Sequence, residues 1–201
     1  MPNILWGGVQ LKETDVLMSI GCGDGSVDMC ISEFCKMLVG FDYSNQMISR
    51  ANSRRIKNGI FWQQSYFDKI DDTYNIDKIY TLGVVQYCKP EDIQLFVDRQ
   101  LELCNKNKEY VIFHADIPDK KKAWNWYRRF LPQLDEMTVR ENEEKLKTYN
   151  VDGSYWHDID DIIGAFESRG IKNCHVLGGI SDYRSSIVIK FNGKEITHLK
   201  I

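Results

Sequence analysis

Short apolar runs alternate along this chain with segments whose apolar residues recur at helical spacing. The run from Asp15 to Gly21 is almost continuously apolar, which is typical of a parallel strand covered on both faces. Further runs of similar character lie at 36–42, 60–64, 76–82, 109–114, 172–177 and 185–191. Because short apolar runs bounded by polar residues favour strands, the pattern predicts about seven of them.

Helical periodicity fills most of the gaps between these runs. The predicted helices cover 26–35, 44–58, 90–104 and 159–170. Gly59 follows the second helix and is expected at the C′ position, where glycine commonly ends a helix. Strands that alternate with helices in this order predict an α/β fold with a mostly parallel sheet and helices on both faces.

Residues 119–150 break the alternation, because they are charged, rich in aromatic side chains and only weakly periodic. We interpret them as the main part of a substrate-side insertion, at about 117–157, in a single domain covering residues 1–201. Aromatic side chains of this kind either line a substrate pocket or pack in a core, and the sequence leaves both open. Those of the insertion are Trp124, Trp126, Tyr127, Tyr149, Tyr155 and Trp156.

The composition is that of a soluble globular protein, with 43% hydrophobic and 27% charged residues among 201 and a net charge of −3. This balance argues against a nucleic-acid partner, because nucleic-acid-binding modules carry a basic face. No run approaches the roughly 18–20 apolar residues of a membrane-spanning helix, and residues 1–10 lack the features of a signal peptide. The six cysteines form no CxxC pair and no zinc-site spacing. We therefore expect free thiols, no bound metal, no membrane partner and a cytoplasmic location.

The strongest candidate for a binding site is the loop Gly21-Cys22-Gly23-Asp24-Gly25, between the first predicted strand and the first predicted helix. Glycines let the backbone approach a ligand closely, and the start of a helix offers unpaired N–H groups. Asp42 ends the second predicted strand about 20 residues later, where a carboxylate can bind the hydroxyls of a ribose. Together these features predict a nucleoside-binding site.

The loop departs from the dinucleotide fingerprint G-x-G-x-x-G, because its glycines are spaced G-x-G-x-G and because it contains Asp24. A carboxylate in this loop disfavours a pyrophosphate and favours a ligand with an ammonium or sulfonium group. We therefore expect a cationic nucleoside.

At these positions the chain resembles the class I S-adenosylmethionine-dependent methyltransferases, and the resemblance extends from about Leu17 to Phe191. Its motifs are V-L-M-S-I-G-C-G-D-G-S at 16–26, V-G-F-D-Y-S at 39–44, Y-N-I-D-K-I-Y-T-L-G-V-V-Q-Y at 74–87 and Y-W-H at 155–157. The resemblance implies a Rossmann-like sheet of seven strands with the last strand antiparallel. It also implies S-adenosylmethionine as the cofactor.

The same resemblance implies which residues bind the cofactor. Asp42 would hold the ribose with Tyr43 beside the adenine, and Gly83 would lie under the methionine end. Ser65 stands where the family often has an acidic residue for the adenine amino group, so that contact is not assigned. The full set is Trp6, Gly21, Cys22, Gly23, Asp24, Gly25, Asp42, Tyr43, Met47, Ser65, Tyr66, Leu82, Gly83 and Gln86. Trp6 would either face the sulfonium or cover an edge of the sheet.

Substrates of open α/β sheets bind beyond the carboxyl ends of the strands. Methylation of a hydroxyl or a protonated amine also requires the loss of a proton, so a histidine or carboxylate at that edge is a candidate base. The candidates, in order, are His114, Asp116 and His157, although a structural role explains either histidine equally well. The predicted substrate-side residues are Tyr87, Trp124, Tyr127, Arg128, Tyr155 and Trp156, of which Arg128 could clamp an anion.

From these features we predict an enzyme that transfers a methyl group from S-adenosylmethionine to an oxygen or nitrogen atom of a small metabolite. Anionic or sugar-linked metabolites are the main candidates, and the protein is expected to be a monomer or a homodimer. One alternative is a non-catalytic S-adenosylmethionine-binding subunit that activates a partner enzyme. Another is a nicotinamide-dependent oxidoreductase. Turnover by the isolated chain would exclude the first, and retention of NAD would favour the second.

Overall fold

Seven strands form one sheet in the computed structural model, which describes residues 8–70, 73–129 and 154–197. They are β1 (Val16–Ile20), β2 (Met37–Asp42), β3 (Gly59–Gln63), β4 (Lys78–Leu82), β5 (Glu109–Pro118), β6 (Cys174–Gly178) and β7 (Arg184–Asn192). Their spatial order is β3-β2-β1-β4-β5-β7-β6. β7 runs antiparallel to both of its neighbours, and the other adjacent pairs are parallel. This topology confirms the predicted Rossmann-like sheet with an antiparallel last strand.

The α-helices of the described part are α1 (Ser26–Ile31), α2 (Asn45–Ser53), α3 (Ile93–Leu101), α4 (Ala123–Tyr127) and α5 (Ile159–Glu167). α2 begins where the Ser44 hydroxyl accepts a hydrogen bond from the Met47 N–H at 3.4 Å. α5 begins where the Asp158 carboxylate accepts one from the Asp160 N–H at 3.1 Å. Side-chain caps of this kind satisfy N–H groups that lack a partner in the first turn.

Gly59 does not end α2, contrary to the prediction. The helix stops at Ser53, and Arg55 then adopts a positive φ of 55° that turns the chain. Gly59 is the first residue of β3, where a Cβ atom would lie 2.8 Å from the Phe61 ring. The glycine is therefore explained by packing within the sheet.

Two apolar layers cover the sheet, one on each face. α3 and α5 pack against one face through Phe96 and Phe166, which are 1% and 0% exposed. α1 and α2 pack against the other face through Ile31 and Ile48. Because both faces are covered, almost every side chain of β1, β2 and β4 is buried. These three strands form a rigid base for the loops that follow them.

β5 extends four residues beyond the predicted strand, to Pro118. Its pairing with β7 shifts register between His114 and Ile117, and Asp116 has a positive φ of 64° there. A β-bulge of this kind bends the strand and redirects a side chain, and bulges often lie beside active sites. The bulge interrupts the apolar pattern, which explains why the sequence predicted a shorter strand.

All six cysteines are free thiols, as predicted. Within residues 8–70, 73–129 and 154–197, no helix is long and apolar enough to cross a membrane. The same ranges contain no group of His, Cys, Asp and Glu side chains placed to hold a metal ion.

Arg169 joins α3 to the end of α5 through a buried ion pair. Its guanidinium donates two hydrogen bonds of 2.7 Å to the two carboxylate oxygens of Asp98. The side chains of Arg169 and Asp98 are 1% and 5% exposed. Removal of one partner would leave the other charge buried without compensation, which typically destabilises a protein by about 3–5 kcal/mol.

Asp98→Ala should therefore lower the free energy of unfolding by about 3–5 kcal/mol, measured by urea denaturation. The control is Asp182→Ala, because Asp182 pairs with Arg129 at the surface and the two side chains are 58% and 51% exposed. That variant should lose less than about 1 kcal/mol. Equal losses in the two variants would contradict this account of the helix layer.

Candidate active site

Three glycines turn the chain from β1 into α1, with φ values of +68° at Gly21, +56° at Gly23 and +72° at Gly25. Gly21 has no room for a side chain, since a Cβ atom would lie 2.4 Å from Cγ2 of Val84 in the turn after β4. At Gly23 a Cβ atom would meet nothing within 4 Å. Gly21 therefore packs the loop against the sheet, whereas Gly23 borders open space.

Asp42 fixes this loop to the end of β2. Its Oδ2 accepts a hydrogen bond of 3.0 Å from the Gly23 N–H, and its Oδ1 accepts one of 2.9 Å from the Ser44 N–H. The Cys22 N–H donates to the Phe41 carbonyl at 3.0 Å. A carboxylate has about four acceptor positions, so each oxygen of Asp42 retains capacity for a ligand hydroxyl.

Asp24 is engaged by the protein itself, contrary to the prediction that it faces a ligand. It forms an ion pair with Arg54 at the end of α2, and its Oδ1 accepts a hydrogen bond of 3.0 Å from the Ser26 N–H. Hydrogen bonds from Ser26 and the Arg54 side chain hold the pKa of Asp24 below its usual value. Its negative charge is therefore compensated by Arg54, which weakens the case for Asp24 as the countercharge of a cationic ligand.

The residues predicted beside the adenosine lie on the same edge as Asp42. Tyr43 follows β2 and is 74% exposed, so its ring is accessible to a ligand. Met47 is half-buried in the first turn of α2. Cys22 is buried, and burial raises the pKa of its thiol far above the ordinary value. Cys22 therefore stays protonated and contributes packing.

The turn after β3 holds Ser65 and Tyr66. The Ser65 hydroxyl accepts a hydrogen bond of 3.2 Å from the Phe67 N–H, so it is used within the turn. Tyr66 packs edge-on against Phe96, with ring centroids 5.3 Å apart, and donates to the Tyr87 carbonyl at 3.3 Å. Burial raises the pKa of the Tyr66 phenol. Tyr66 thus connects the turns that follow β3 and β4.

The turn after β4 begins at Leu82, which is half-buried, and Gly83, whose φ is +65°. The Gly83 N–H donates to the Ala115 carbonyl at 3.0 Å. The Gln86 side chain donates from Nε2 to the Gly83 carbonyl at 2.8 Å, and the residue is 8% exposed. Tyr87 is 58% exposed at the same edge. The hydrogen bonds of Gly83 and Gln86 therefore hold the turn in place, and the Tyr87 ring is exposed beside it.

Residues 154–157 contact this turn directly. The Tyr155 N–H donates to the Gln86 carbonyl at 2.7 Å. His157, 3% exposed, follows in the same segment. Burial lowers the pKa of His157, and nearby backbone groups of Val85 and Cys88 oppose that shift only in part. The structure thus brings the Y-W-H motif to the end of β4, with a neutral, buried imidazole.

His114 lies in the core, contrary to the prediction that it faces a substrate. Its ring contacts those of Phe96 and Phe166 at centroid distances of 5.4 and 6.0 Å, and its Nδ1 lies 3.0 Å from the Thr81 hydroxyl. The side chain is 0% exposed, and burial lowers its pKa to about 3. Because β5 continues to Pro118, His114 is an interior residue of the strand and is excluded as a base at the sheet edge.

Asp116 lies at the bulge of β5, at the carboxyl edge of the sheet. Nη1 of Arg184 donates to the Asp116 carbonyl at 2.8 Å and lies 3.2 Å from its Oδ2. Burial raises the pKa of Asp116, and the positive charge of Arg184 opposes that shift. Of the three predicted bases, Asp116 is the one at this edge whose side chain is only half-buried.

Tyr127 and Trp156 form part of a small core, which contradicts their predicted place in a pocket wall. They are 5% and 2% exposed, and the Trp156 Nε1 donates to the Tyr127 hydroxyl at 3.1 Å. Ala123 and Tyr183 complete this cluster. The cluster gives α4 and residues 154–157 an apolar anchor of their own.

Trp124 and Arg128 lie exposed on and beside α4, and Trp124 is 42% exposed. The Trp124 ring meets Tyr127 edge-on at 6.2 Å. Both side chains are accessible to a molecule approaching that surface. Trp6 and Tyr149 fall outside the described residues.

Residues 18–112 match the family model of a methyltransferase domain. The matched stretch, a little under half of the chain, includes the glycine loop, Asp42 and the turn after β4. S-adenosylmethionine or S-adenosylhomocysteine is bound in several of the solved structures that share the fold. No curated protein matches the chain by sequence.

Solved methyltransferase structures share the fold at low sequence identity. A magnesium protoporphyrin IX methyltransferase from Synechocystis, with bound S-adenosylhomocysteine, has a TM-score of 0.62 and 14% identity, covering 88% of this chain and 73% of that one. A methyltransferase from Methanosarcina mazei has a TM-score of 0.64 and 12% identity, covering 90% and 93%. An N-methyltransferase from Bradyrhizobium japonicum, also with S-adenosylhomocysteine, has a TM-score of 0.59 and 14% identity, covering 93% and 80%.

The residues of the methyltransferase site fit its donor. The space beside Gly23 admits a ligand at the loop, and the Asp42 oxygens retain acceptor capacity for two ribose hydroxyls. Gly83 has no side chain to obstruct the methionine end. We therefore infer that the loop, Asp42 and the turn after β4 hold the donor.

Arg54 and Arg184 are site residues that sequence analysis missed. Arg54 pairs with Asp24 across 30 positions of the chain, and Arg184 pairs with Asp116 across 68. Both arginines lie outside the recognised motifs. A local pattern carries no signal for pairs so distant in sequence, so the fold was needed to find them.

A matched pair of glycine variants tests the geometry of the loop. Gly23→Ala should remain folded, at a cost of about 1–2 kcal/mol for a left-handed alanine, and should bind the donor at least about tenfold more weakly because its Cβ enters the open space. Gly21→Ala should lose more stability, since its Cβ also overlaps Val84. Thermal unfolding and calorimetric titration would measure both effects. If Gly23→Ala bound the donor with wild-type affinity, the donor would not lie beside Gly23.

Proposed function

We propose that the protein is an S-adenosylmethionine-dependent methyltransferase that methylates an oxygen or nitrogen atom of a small molecule. The observation that carries the proposal is the hydrogen bond from the Tyr155 N–H to the Gln86 carbonyl. It holds residues 154–157 against the turn after β4, and we infer that this segment narrows access to the methyl-transfer position. An acceptor of metabolite size fits this restriction better than a folded macromolecule. The net charge of −3 also gives no support for a nucleic-acid substrate.

Similar proteins agree with this proposal. The Synechocystis protein is a magnesium protoporphyrin IX methyltransferase, and the Bradyrhizobium protein is an N-methyltransferase. The methyl acceptor of the Synechocystis protein is a small molecule, and the acceptor atom of the Bradyrhizobium protein is a nitrogen. A monomer or homodimer in the cytoplasm remains our expectation for this chain.

S-adenosylmethionine, when bound, supplies a methyl carbon that is activated by positively charged sulfur. The residues of this chain hold and align the two reactants, and alignment alone can supply about 7–11 kcal/mol of the rate enhancement. Asp42 would hold the ribose hydroxyls, and Gly83 would lie under the methionine end. Gln86 and Tyr87 would face the methyl group. The Tyr155 backbone contacts the same edge.

Asp116 is the proposed proton acceptor for a hydroxyl or ammonium substrate. It lies at the carboxyl edge of β5, where a substrate approaches, and Arg184 orients its carboxylate. His157 is the second candidate, and its buried position favours a structural role. Trp124 and Arg128 are proposed to line the outer part of the acceptor site, where Arg128 would pair with an anionic group.

A labelling experiment tests the substrate class. The purified protein would be incubated with donor carrying a labelled methyl group and a cell extract separated by size into metabolite, protein and nucleic-acid fractions. Label in the metabolite fraction is expected. Label confined to the protein or nucleic-acid fraction would overturn the proposal. Activity that appears only when a second protein is added would favour the non-catalytic subunit instead.

Asp116→Asn should lower turnover at least about tenfold while leaving donor affinity nearly unchanged, because it removes a proton acceptor and no donor contact. Since burial raises the pKa of Asp116, the wild-type rate should rise with pH through a range above that of an ordinary aspartate. This rise should be absent in the variant. A variant with wild-type turnover and the same pH profile would exclude Asp116.

A further inference from the structure

Asp28 is a buried carboxyl group that connects α1 to the sheet. It lies in the first turn of α1 and is 0% exposed. Its Oδ1 accepts a hydrogen bond of 2.7 Å from the Tyr80 hydroxyl, and the Ser19 side chain opposes the rise in its pKa. Ser19 and Tyr80 are directly paired in the register of β1 and β4. The carboxyl group is therefore held by β4 and lies close to β1, and both strands end at the donor site.

This group lies below the glycine loop. Ser19 is two residues before Gly21, and Tyr80 is three residues before Gly83. At a rise of about 3.3 Å per residue, it is roughly 7–10 Å below the edge of the sheet. After burial, the charge of Asp28 is the next-largest cause that raises the pKa of the Cys22 thiol. Its electrostatic field therefore reaches the loop.

Asp28 differs from the other two aspartates of the site because one of its buried carboxylate oxygens has neither a cation nor an N–H group as a partner among the described residues. Asp24 is compensated by Arg54, and Asp42 accepts two backbone N–H groups. Oδ2 of Asp28 has no hydrogen-bond partner among the described residues. Burial raises the pKa of Asp28 to about 6, so the group is ionised at neutral pH. A buried charge without a partner is costly unless a ligand compensates it.

We propose that Asp28 is the countercharge of the donor's sulfonium group and makes the site prefer S-adenosylmethionine over S-adenosylhomocysteine. The two ligands differ by the methyl group and its positive charge. A fixed anion in a medium of low dielectric constant favours the cationic ligand and has little effect on the neutral one. The preference would help S-adenosylhomocysteine to dissociate after methyl transfer, so that S-adenosylmethionine can bind. The inference depends on the assigned donor and is independent of the acceptor, so the labelling experiment can fail without affecting it.

The test is the ratio of two dissociation constants, measured by calorimetry at neutral pH with S-adenosylmethionine and S-adenosylhomocysteine. Asp28→Asn should weaken binding of the methyl donor about tenfold or more, as expected for charges roughly 8 Å apart at an effective dielectric constant of about 20. Binding of S-adenosylhomocysteine should change little. An unchanged ratio would overturn the proposal. Equal weakening of both ligands would also overturn it, because that result indicates a distorted loop.

Two control variants separate charge from structure. Tyr80→Phe removes a hydrogen bond but keeps the carboxylate, so the ratio should be retained at a pH well above 6. Glu33→Gln removes an exposed carboxylate that precedes β2, at the end of that strand opposite to Asp42, and the ratio should change less than about twofold because solvent and salt screen an exposed charge. A loss of preference in either control equal to that of Asp28→Asn would contradict the assignment.

Thermal unfolding should show Asp28→Asn to be folded and at least as stable as wild type at neutral pH, since the variant removes an uncompensated buried charge.

The preference should also depend on pH. Protonation of Asp28 as the pH falls through about 6 removes the countercharge, so the wild-type ratio should decline and that of Asp28→Asn should stay constant. The other groups facing Asp28 do not titrate there: burial raises the pKa values of Cys22, Cys35 and Tyr80, and hydrogen bonds lower that of Asp24. A wild-type ratio that is constant across this range would overturn the proposal.

Discussion

The hydrogen bond between the Gly23 N–H and the Asp42 carboxylate is the contact on which the donor site depends. It ties a loop that follows β1 to the end of β2, so the loop backbone and the side chain that we propose as the ribose ligand are fixed together. The positive φ values of the three loop glycines make this approach accessible. The buried parallel strands below hold both partners in register, and their rigidity explains why so short a loop can form a defined site.

Three aspartates near this contact have different electrostatic roles because their surroundings differ. Asp24 is paired with Arg54, and its charge serves the loop structure. Asp42 is held by N–H groups and remains open to hydroxyls. Asp28 is buried under the loop without a cationic partner in the described residues. We therefore propose that Asp42 recognises the sugar and Asp28 the charge, whereas the sequence alone suggested Asp24 for the second role.

The strand order and the site on β1, β2 and β4 were predictable because their signals are local. Buried parallel strands are continuous apolar runs, and the glycine loop and Asp42 lie directly at their ends. The substrate side was less predictable, because it depends on long-range contacts. His114 was placed at the edge because the bulge at Asp116 hides the true length of β5. Tyr127 and Trp156 were assigned to a pocket because nothing in their local pattern shows that they pack on each other.

The central claim is that the Asp42 carboxylate both orders the loop and binds the methyl donor. Its most direct test is a calorimetric titration of S-adenosylhomocysteine into wild type, Asp42→Ala and Asp68→Ala, the last removing an exposed carboxylate from the turn after β3. Hydrogen bonds to a charged group contribute about 1.5–3 kcal/mol each, so Asp42→Ala should bind at least about tenfold more weakly, and Asp68→Ala should bind like wild type. Unchanged affinity in a folded Asp42→Ala protein would contradict the account.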